Sequence, residues 1–330
     1  MKKVFVSGGS GYIAMYCIKI LLTKGYHVVT SVRNESKINL VKESLSKQNL
    51  NTDIIEFHIL DLLDDKGWDN ALKGCEYVLH MASPVIFEKY DKDLLVKPAV
   101  EGMVRCLNSA IKNGAKKFVQ TSSFAAVYGN NKSEYDDEDW TDLTHKKLLP
   151  YEISKTKSEK KMWEIANKSN IEACAINPVL VIGPSLSGII STSNILSIKR
   201  LFNLPFIPKI SISVVGVQDV ADAHIRAMES PNSVGKRFLL SEKTISLSEI
   251  SSLLNKSGFS DVPSYILPNF ILKFAAFFIP SLRLIAKRLG KEEILHTNNA
   301  NNILDWNPNS VNSEIINTAK QLYEIGLLKK

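Results

Sequence analysis

Cysteine is scarce in this chain, with four in 330 residues: Cys17, Cys75, Cys106 and Cys174. They stand far apart, none forms a CxxC pair and no histidine lies at metal-ligand spacing, so neither a metal site nor a disulfide framework is expected. Each sits in an apolar context and reads as a reduced core thiol. Long hydrophobic runs are missing too. The most apolar stretch, 267–286, is broken by Lys273, Pro280 and Arg283, so the roughly 20 unbroken apolar residues of a bilayer span do not occur. Two short packed helices are expected there, with association at a membrane surface as the alternative, and no stable membrane insertion. Met1-Lys2-Lys3 runs straight into an apolar segment, leaving no room for a signal or transit peptide, so cytoplasm is the expected location. Internal repeats and low-complexity tracts are also lacking.

What is present is the composition of an ordinary globular protein, 45% hydrophobic and 23% charged. The length exceeds a typical single core, which favours a main domain and a smaller one. The net charge of +7 comes from lysines interspersed with acids along helices, a solvated surface rather than a nucleic-acid footprint.

Val4 to Val6 reads as a buried strand, and Ser7-Gly8-Gly9-Ser10-Gly11 then turns the chain into an apolar-periodic helix. Gly9-x-Gly11-x-x-Ala14 fits a dinucleotide fingerprint: glycine for the turn, glycine where backbone approaches a pyrophosphate, a small residue where helix meets strand. Glycine-rich turns also close ordinary strand-helix junctions, so the rest of the chain must decide. Strands are expected at 26–32, 54–60, 77–80, 117–121 and 172–176, separated by helices near 11–23, 37–47, 66–72, 93–113 and 151–167. This alternation predicts an α/β fold, a Rossmann-type doubly wound parallel sheet with helices on both faces. Beyond Pro178 the alternation decays. Residues 1–178 are expected to form the dinucleotide-binding domain, with 214–241 returning to it, and 179–330 a smaller, mainly helical substrate domain.

At the end of the second strand, where an acidic residue usually binds a ribose 2′-hydroxyl, this chain has Arg33, followed by Lys37 one helical turn on. The pair suits a 2′-phosphate and hence NADP(H), although a solvated pair at a helix start has the same spacing. Asp61 could accept from an adenine amine or cap the turn beginning at Leu62. Tyr151 and Lys155 share one face of a predicted helix, which brings an ammonium near a phenol. A cation there favours phenolate and lowers the ordinary phenol pKa of about 10, so the tyrosine could deliver a proton to a carbonyl oxygen as hydride reaches its carbon. Thr121-Ser122-Ser123 ends the fifth strand. Ser123 is the preferred hydroxyl for orienting the carbonyl, with Ser122 open because one residue of register reverses the facing side. The acidic run Asp136-Asp137-Glu138-Asp139 reads as a solvated loop.

Gly8-x-x-Gly11-x-x-Ala14, Asp61-Leu62, His80-x-Ala82-Ser83-Pro84, Pro98 to Gly102, Thr121-Ser122-Ser123, Tyr151-x-x-x-Lys155, Asn177-Pro178 and Asp219 to His224 occur in that order. Together they resemble the extended short-chain dehydrogenases/reductases, most of all the dihydroflavonol 4-reductase-like branch with its NADPH-dependent aldehyde, ketone and methylglyoxal reductases. The resemblance implies NADPH-dependent reduction of an aldehyde or ketone. It implies Tyr151 as proton donor, Lys155 lowering its pKa and holding the nicotinamide ribose, and Ser123 orienting the carbonyl. Gly8, Gly11, Tyr12 and Ile13 would line the pyrophosphate, Arg33 and Lys37 read the 2′-phosphate, and Asp61 and Leu62 flank adenine. Ala82 and Ser83 would lie along the cofactor, and Pro178 beside the nicotinamide. Ala14 stands where the third glycine is usual. By the same analogy Val85, Phe87, Phe124, Tyr128, Val179, Leu180 and Phe206 would form an apolar, aromatic pocket for a medium-sized aldehyde or ketone, a small-molecule carbonyl substrate, although most of them could instead be core residues; a monomer or homodimer is expected. Two alternatives remain open on sequence: an NAD-dependent nucleotide-sugar epimerase or dehydratase, which usually carries an acid at the Arg33 position, and a non-catalytic NADP-sensing protein.

Overall fold

The computed structural model describes residues 1–84, 92–128, 132–145, 147–278, 286 and 289–328. Its centre is a seven-stranded sheet of β1 (Lys3–Val6), β2 (His27–Val32), β3 (Glu56–Ile59), β4 (Tyr77–His80), β5 (Lys117–Thr121), β7 (Glu172–Pro178) and β10 (Arg237–Leu240), in the order β10-β7-β5-β4-β1-β2-β3. Every neighbouring pair is parallel. The order reverses direction between β1 and β4. At such a switch point the connections diverge to either side and leave a crevice beyond the carboxyl ends of the strands.

Alternation along β1 assigns the two faces. Val4 and Val6 belong to a core shared with Met15, Ile18 and Leu21 of α1 (Tyr12–Thr23) and Val220, Ala221 and Ile225 of α8 (Val217–Glu229). Phe5, between them, points into a second core with Trp68 and Leu72 of α3 (Trp68–Leu72), Met103 and Leu107 of α4 (Lys92–Lys112) and Met162 of α5 (Pro150–Ala166). Side chains two apart share a face and neighbours do not, so one short apolar strand serves both layers. The remaining helix of this half is α2 (Glu35–Ser46), capped by Asn34, whose Oδ1 accepts from Lys37 N at 3.2 Å.

The C-terminal region is mainly helical, but it also holds a sheet that the sequence reading does not foresee. It contains a second, three-stranded sheet: β8 (Leu180–Ile182) pairs in parallel with β9 (Ser211–Gly216), and β11 (Lys243–Ser246) pairs antiparallel with β9. Strands of three to six residues interrupted by Ser211, Ser213 and Lys243 carry too little alternation to register in a sequence reading. Of residues 214–241, β10 joins the edge of the main sheet and α8 covers it. A helical run between the second sheet's first two strands consists of α6 (Thr192–Asn194), a π turn at Ile195–Lys199 and α7 (Arg200–Phe202). Further helices are α9 (Leu247–Lys256), α10 (Asn269–Phe278), α11 (Asn298–Leu304) and α12 (Val311–Glu324), and β6 (Glu134–Tyr135) pairs with β12 (Ile294–Leu295). Among the described residues no helix is long and apolar enough to cross a membrane.

The acidic run is a second correction. Asp137 is 4% exposed, accepting from Leu239 N at 2.6 Å and Asn299 N at 3.0 Å. Burial pushes its carboxyl up to about 6 against the pull of those two amides. It is a strap between β10 and α11, not part of a solvated loop.

Candidate active site

The glycine turn closes the carboxyl end of β1. Gly8 sits at φ +69°, where an L side chain is strained, and a Cβ there would lie 3.1 Å from the Cα and Cβ of Ala82. Gly9 leaves no space either: a Cβ would come 2.1 Å from Thr30 Oγ1, which donates to Val6 O at 2.7 Å. The turn is fixed by Gly9 N to Ser31 O at 2.8 Å, Gly11 N to Gly8 O at 2.7 Å and Gly8 N to Ser31 Oγ at 3.0 Å. Gly11 is the N-cap of α1, without a side chain to cap the helix, so the first-turn amides have no intrahelical acceptor. Ser7 clamps this turn to β4. Its Oγ accepts from Met81 N and Ala82 N, both at 2.9 Å, and lies 3.1 Å from His80 Nδ1.

Tyr151 and Lys155 begin α5, whose first turn carries Pro150 at its start and Glu152 reaching back to Leu149 N at 2.7 Å. Lys155 Nζ lies 5.8 Å from the centre of the Tyr151 ring and donates to Thr121 O at 3.4 Å. Ser123 caps a 3₁₀ turn at Phe124–Ala126, accepting from Ala125 N at 3.1 Å, and hydrogen-bonds Tyr151. These three side chains converge at the carboxyl end of β5. Burial pushes the Tyr151 phenol above its usual value, and the bond with Ser123 pulls it back only in part. The ammonium of Lys155 is driven down to about 8 by burial, opposed by the charge of Glu159. This differs from the expectation that the cation would hold the phenol down: desolvation wins over charge here. His80 feels the same ammonium; burial first, and Lys155 second, lower its pKa to about 3. Through His80 and Ser7 the phenol-ammonium pair adjoins the glycine turn.

Behind the three lies a buried polar network invisible in the sequence. Glu159 is fully buried; it accepts from Arg237 Nε at 2.6 Å, Asn177 Nδ2 at 2.8 Å, Trp163 Nε1 at 3.3 Å and Ser122 Oγ. Arg237 also donates to Asp137 O at 3.0 Å and stacks 3.8 Å from the centre of the Trp140 ring. Ser122, Asn177 and Arg237 end β5 and β7 and begin β10, so one carboxylate ties three strands to α5. The apolar-polar spacing on α5 gave no signal for this, because the partner cation lies 78 residues away.

The other expected residues distribute as follows. Arg33 is exposed at the end of β2 and, like Lys37, makes no ion pair among the described residues. Asp61 caps its own turn, accepting from Leu63 N at 2.7 Å, while Leu62 packs over Gly102, 2.4 Å from where a Cβ would stand. Ser83 Oγ is buried without a partner among the described residues. The Tyr12 hydroxyl reaches away to Gly183 O at 2.6 Å, so only its backbone remains for a ligand at the turn. Pro178 ends β7. Of the expected pocket residues, Phe124 meets Tyr135 edge-on and Tyr128 lies tilted against both, with ring centroids 5.5 to 5.6 Å apart within the trio. Val179 lies in the main core at 8% exposure, Leu180 against the second sheet's core, and Phe206 in a small cluster with Ile210, Leu272 and Leu289. Val85 and Phe87 fall outside the described residues. No group of metal-ligating side chains occurs among the described residues.

A sequence profile of the NAD dependent epimerase/dehydratase family matches residues 4–240. The chain is 35% identical to a cinnamoyl-CoA reductase of Medicago truncatula, over 77% of this chain and 80% of that protein. It is 32% identical to an anthocyanidin reductase of Arabidopsis thaliana, over 88% and 89%. Among solved structures, the yeast methylglyoxal/isovaleraldehyde reductase Gre2 complexed with NADPH superimposes with a TM-score of 0.82 at 26% identity, covering 99% of this chain and 100% of that one.

Proposed function

The chain belongs to the NAD dependent epimerase/dehydratase family, within the extended short-chain dehydrogenases/reductases, and from that membership we propose that it is an NADPH-dependent reductase of aldehydes or ketones. The observation that carries this reading is the convergence of Ser123 and Lys155 on Tyr151 beside the glycine turn. The surrounding groups fit a dinucleotide phosphate: a turn whose Gly8 and Gly9 pack too closely on Ala82 and Thr30 to admit a side chain and, among the described residues, a buried Ser83 hydroxyl without a partner and two cations, Arg33 and Lys37, without an ion pair. Backbone amides at the start of α1 would meet the pyrophosphate. The reductases to which the chain is similar, including one solved with NADPH, support the choice over an epimerase.

When bound, the cofactor would supply hydride to the carbonyl carbon. Ser123 would hold the carbonyl oxygen by a hydrogen bond, and Tyr151, kept protonated by its burial, would give that oxygen its proton. Lys155 would then favour the phenolate left behind until solvent returns the proton. Phe124 and Tyr128 would offer apolar surface to the carbonyl's substituents. The test is NADPH oxidation with a panel of aldehydes and ketones, by the native chain and by Tyr151→Phe. The variant should lose about 10²–10⁴-fold in turnover while binding NADPH nearly as well. A variant that keeps most of its activity, or NAD found tightly bound in the purified protein, would overturn the reading.

A further inference from the structure

The helix α10 faces solvent with the wrong side chains for a solvent face. Phe270, Phe274, Phe277 and Phe278 are 65–77% exposed, and their i, i+4, i+7, i+8 spacing puts them on one arc. Leu272 and Ala276, on the opposite arc, pack inward at 1% and 6% exposure. The rings of Phe277 and Phe274 each contact Phe278, with centroids 5.3 Å apart. Tyr265 and Ile266, 63% and 47% exposed, extend the surface ahead of the helix. Exposed apolar side chains scattered singly need no explanation, but a contiguous aromatic face marks an interaction site.

Charge identifies the occupant. From Val262 to Lys291 the sequence has no Asp or Glu, yet holds Lys273, Arg283, Lys287, Arg288 and Lys291. Lys273 flanks the phenylalanine arc on α10 and has no ion pair among the described residues. Exposed Lys209 adjoins the region, its carbonyl accepting from Gly290 N at 2.9 Å. The first carboxylate past the stretch, Glu292, accepts from Ser211 Oγ at 3.1 Å. A second copy of this chain meeting the face across a two-fold axis would oppose cation to cation. An anionic lipid surface instead supplies both the counter-charge for the lysines and an apolar layer for the rings.

We propose that α10 docks this protein on anionic membranes, lying in the interface with its phenylalanine arc inserted at headgroup level and Lys273 among the lipid phosphates. The helix is 10 residues long, so it lies on the bilayer and does not span it. This surface is separate from Tyr151 and its neighbours, and the inference does not depend on the reaction proposed above.

The test is co-sedimentation of the full chain with vesicles of phosphatidylcholine alone or with phosphatidylserine added. At least tenfold stronger binding to the phosphatidylserine vesicles is expected, weakening with salt. Phe274→Ser/Phe277→Ser should lose that binding by tenfold or more and Lys273→Glu several-fold, both with the native melting temperature, because these side chains are exposed. The proposal is overturned if the native chain binds neither vesicle, if it binds both equally, or if the variants bind as well as the native chain. It is equally overturned if the chain leaves vesicles untouched and forms a dimer that the double variant dissociates, which would give the face to a second copy.

Discussion

Ser122 and Ser123 are adjacent in sequence and serve opposite sides of the same strand end: the Ser122 hydroxyl donates to buried Glu159, while Ser123 bonds Tyr151. Their substitutions should therefore separate. Ser123→Ala should lower turnover by about 10²-fold or more with little change in unfolding free energy. Ser122→Ala should cost about 1–3 kcal/mol of stability by removing a donor from a buried carboxylate and leave most of the turnover. Steady-state kinetics beside urea unfolding tests both, and the opposite pairing of effects would refute the assignment.

The Lys155 ammonium, held at about 8 by burial with Glu159 opposing, should show in the pH profile. If the protonated lysine is required, kcat/KM falls above about pH 8 as the ammonium deprotonates. Glu159→Gln removes the carboxylate that supports the charged form, so the descending limb should move to lower pH. A limb that stays in place, or moves up, would dissociate Glu159 from the titration.

Glu159 and Arg237 form a buried ion pair, 0% and 7% exposed. Removing one partner strands the other charge, so Glu159→Ala should destabilise by about 3–5 kcal/mol. Replacing both, as Glu159→Met with Arg237→Met, should recover at least half of that loss, because no charge is then left unpaired. Denaturant midpoints of the three proteins decide it, and a double variant as weak as the single would contradict it.

His224 is buried and neutral, with Nδ1 2.7 Å from Val220 O and Nε2 2.8 Å from Thr121 Oγ1. The carbonyl can only accept, so Nδ1 carries the proton and Nε2 accepts from the threonine. Burial lowers its pKa to about 4. The unfolded chain, with the ordinary value of about 6.5, then binds the proton that the folded protein refuses, so stability falls as pH drops from about 6.5 towards 4. His224→Gln should flatten that part of the stability curve relative to the native chain; parallel curves would refute the claim.

Arg33, exposed at the end of β2, makes no ion pair among the described residues. Arg33→Ser should weaken NADPH about 10- to 100-fold, the worth of one charge-assisted hydrogen bond set, and change NADH little. Equal effects on both cofactors, read by fluorescence titration, would remove the 2′-phosphate role.

The parts of this molecule legible in sequence are those encoded locally. The glycine turn, the strands at 77–80 and 117–121 and the Tyr151-Lys155 spacing each sit within one or two turns of chain, and each stands where it was expected. The choice between Ser122 and Ser123 was not local, since it depends on where Glu159 of a different element lies. Asp137 looked like one more acid in a hydrophilic run because its amide partners come from residues 239 and 299. The second sheet is not legible in the sequence because its strands are short and pair across gaps of some 30 residues.

The pairing of Glu159 with Arg237 also bears on how the chain reaches its final form during synthesis. The helix carrying Tyr151 and Lys155 emerges from the ribosome well before the arginine that neutralises its buried acid. A nascent chain ending at Pro178 contains the glycine turn and all three candidate catalytic side chains, yet its Glu159 carboxylate lacks the Arg237 guanidinium that it pairs with in the full chain. A fragment cut at that point is expected to be less stable than the same residues in the full chain, because it leaves Glu159 without its arginine. The contacts that complete this half of the molecule reach to β10, and by way of Asp137 and Asn299 to α11.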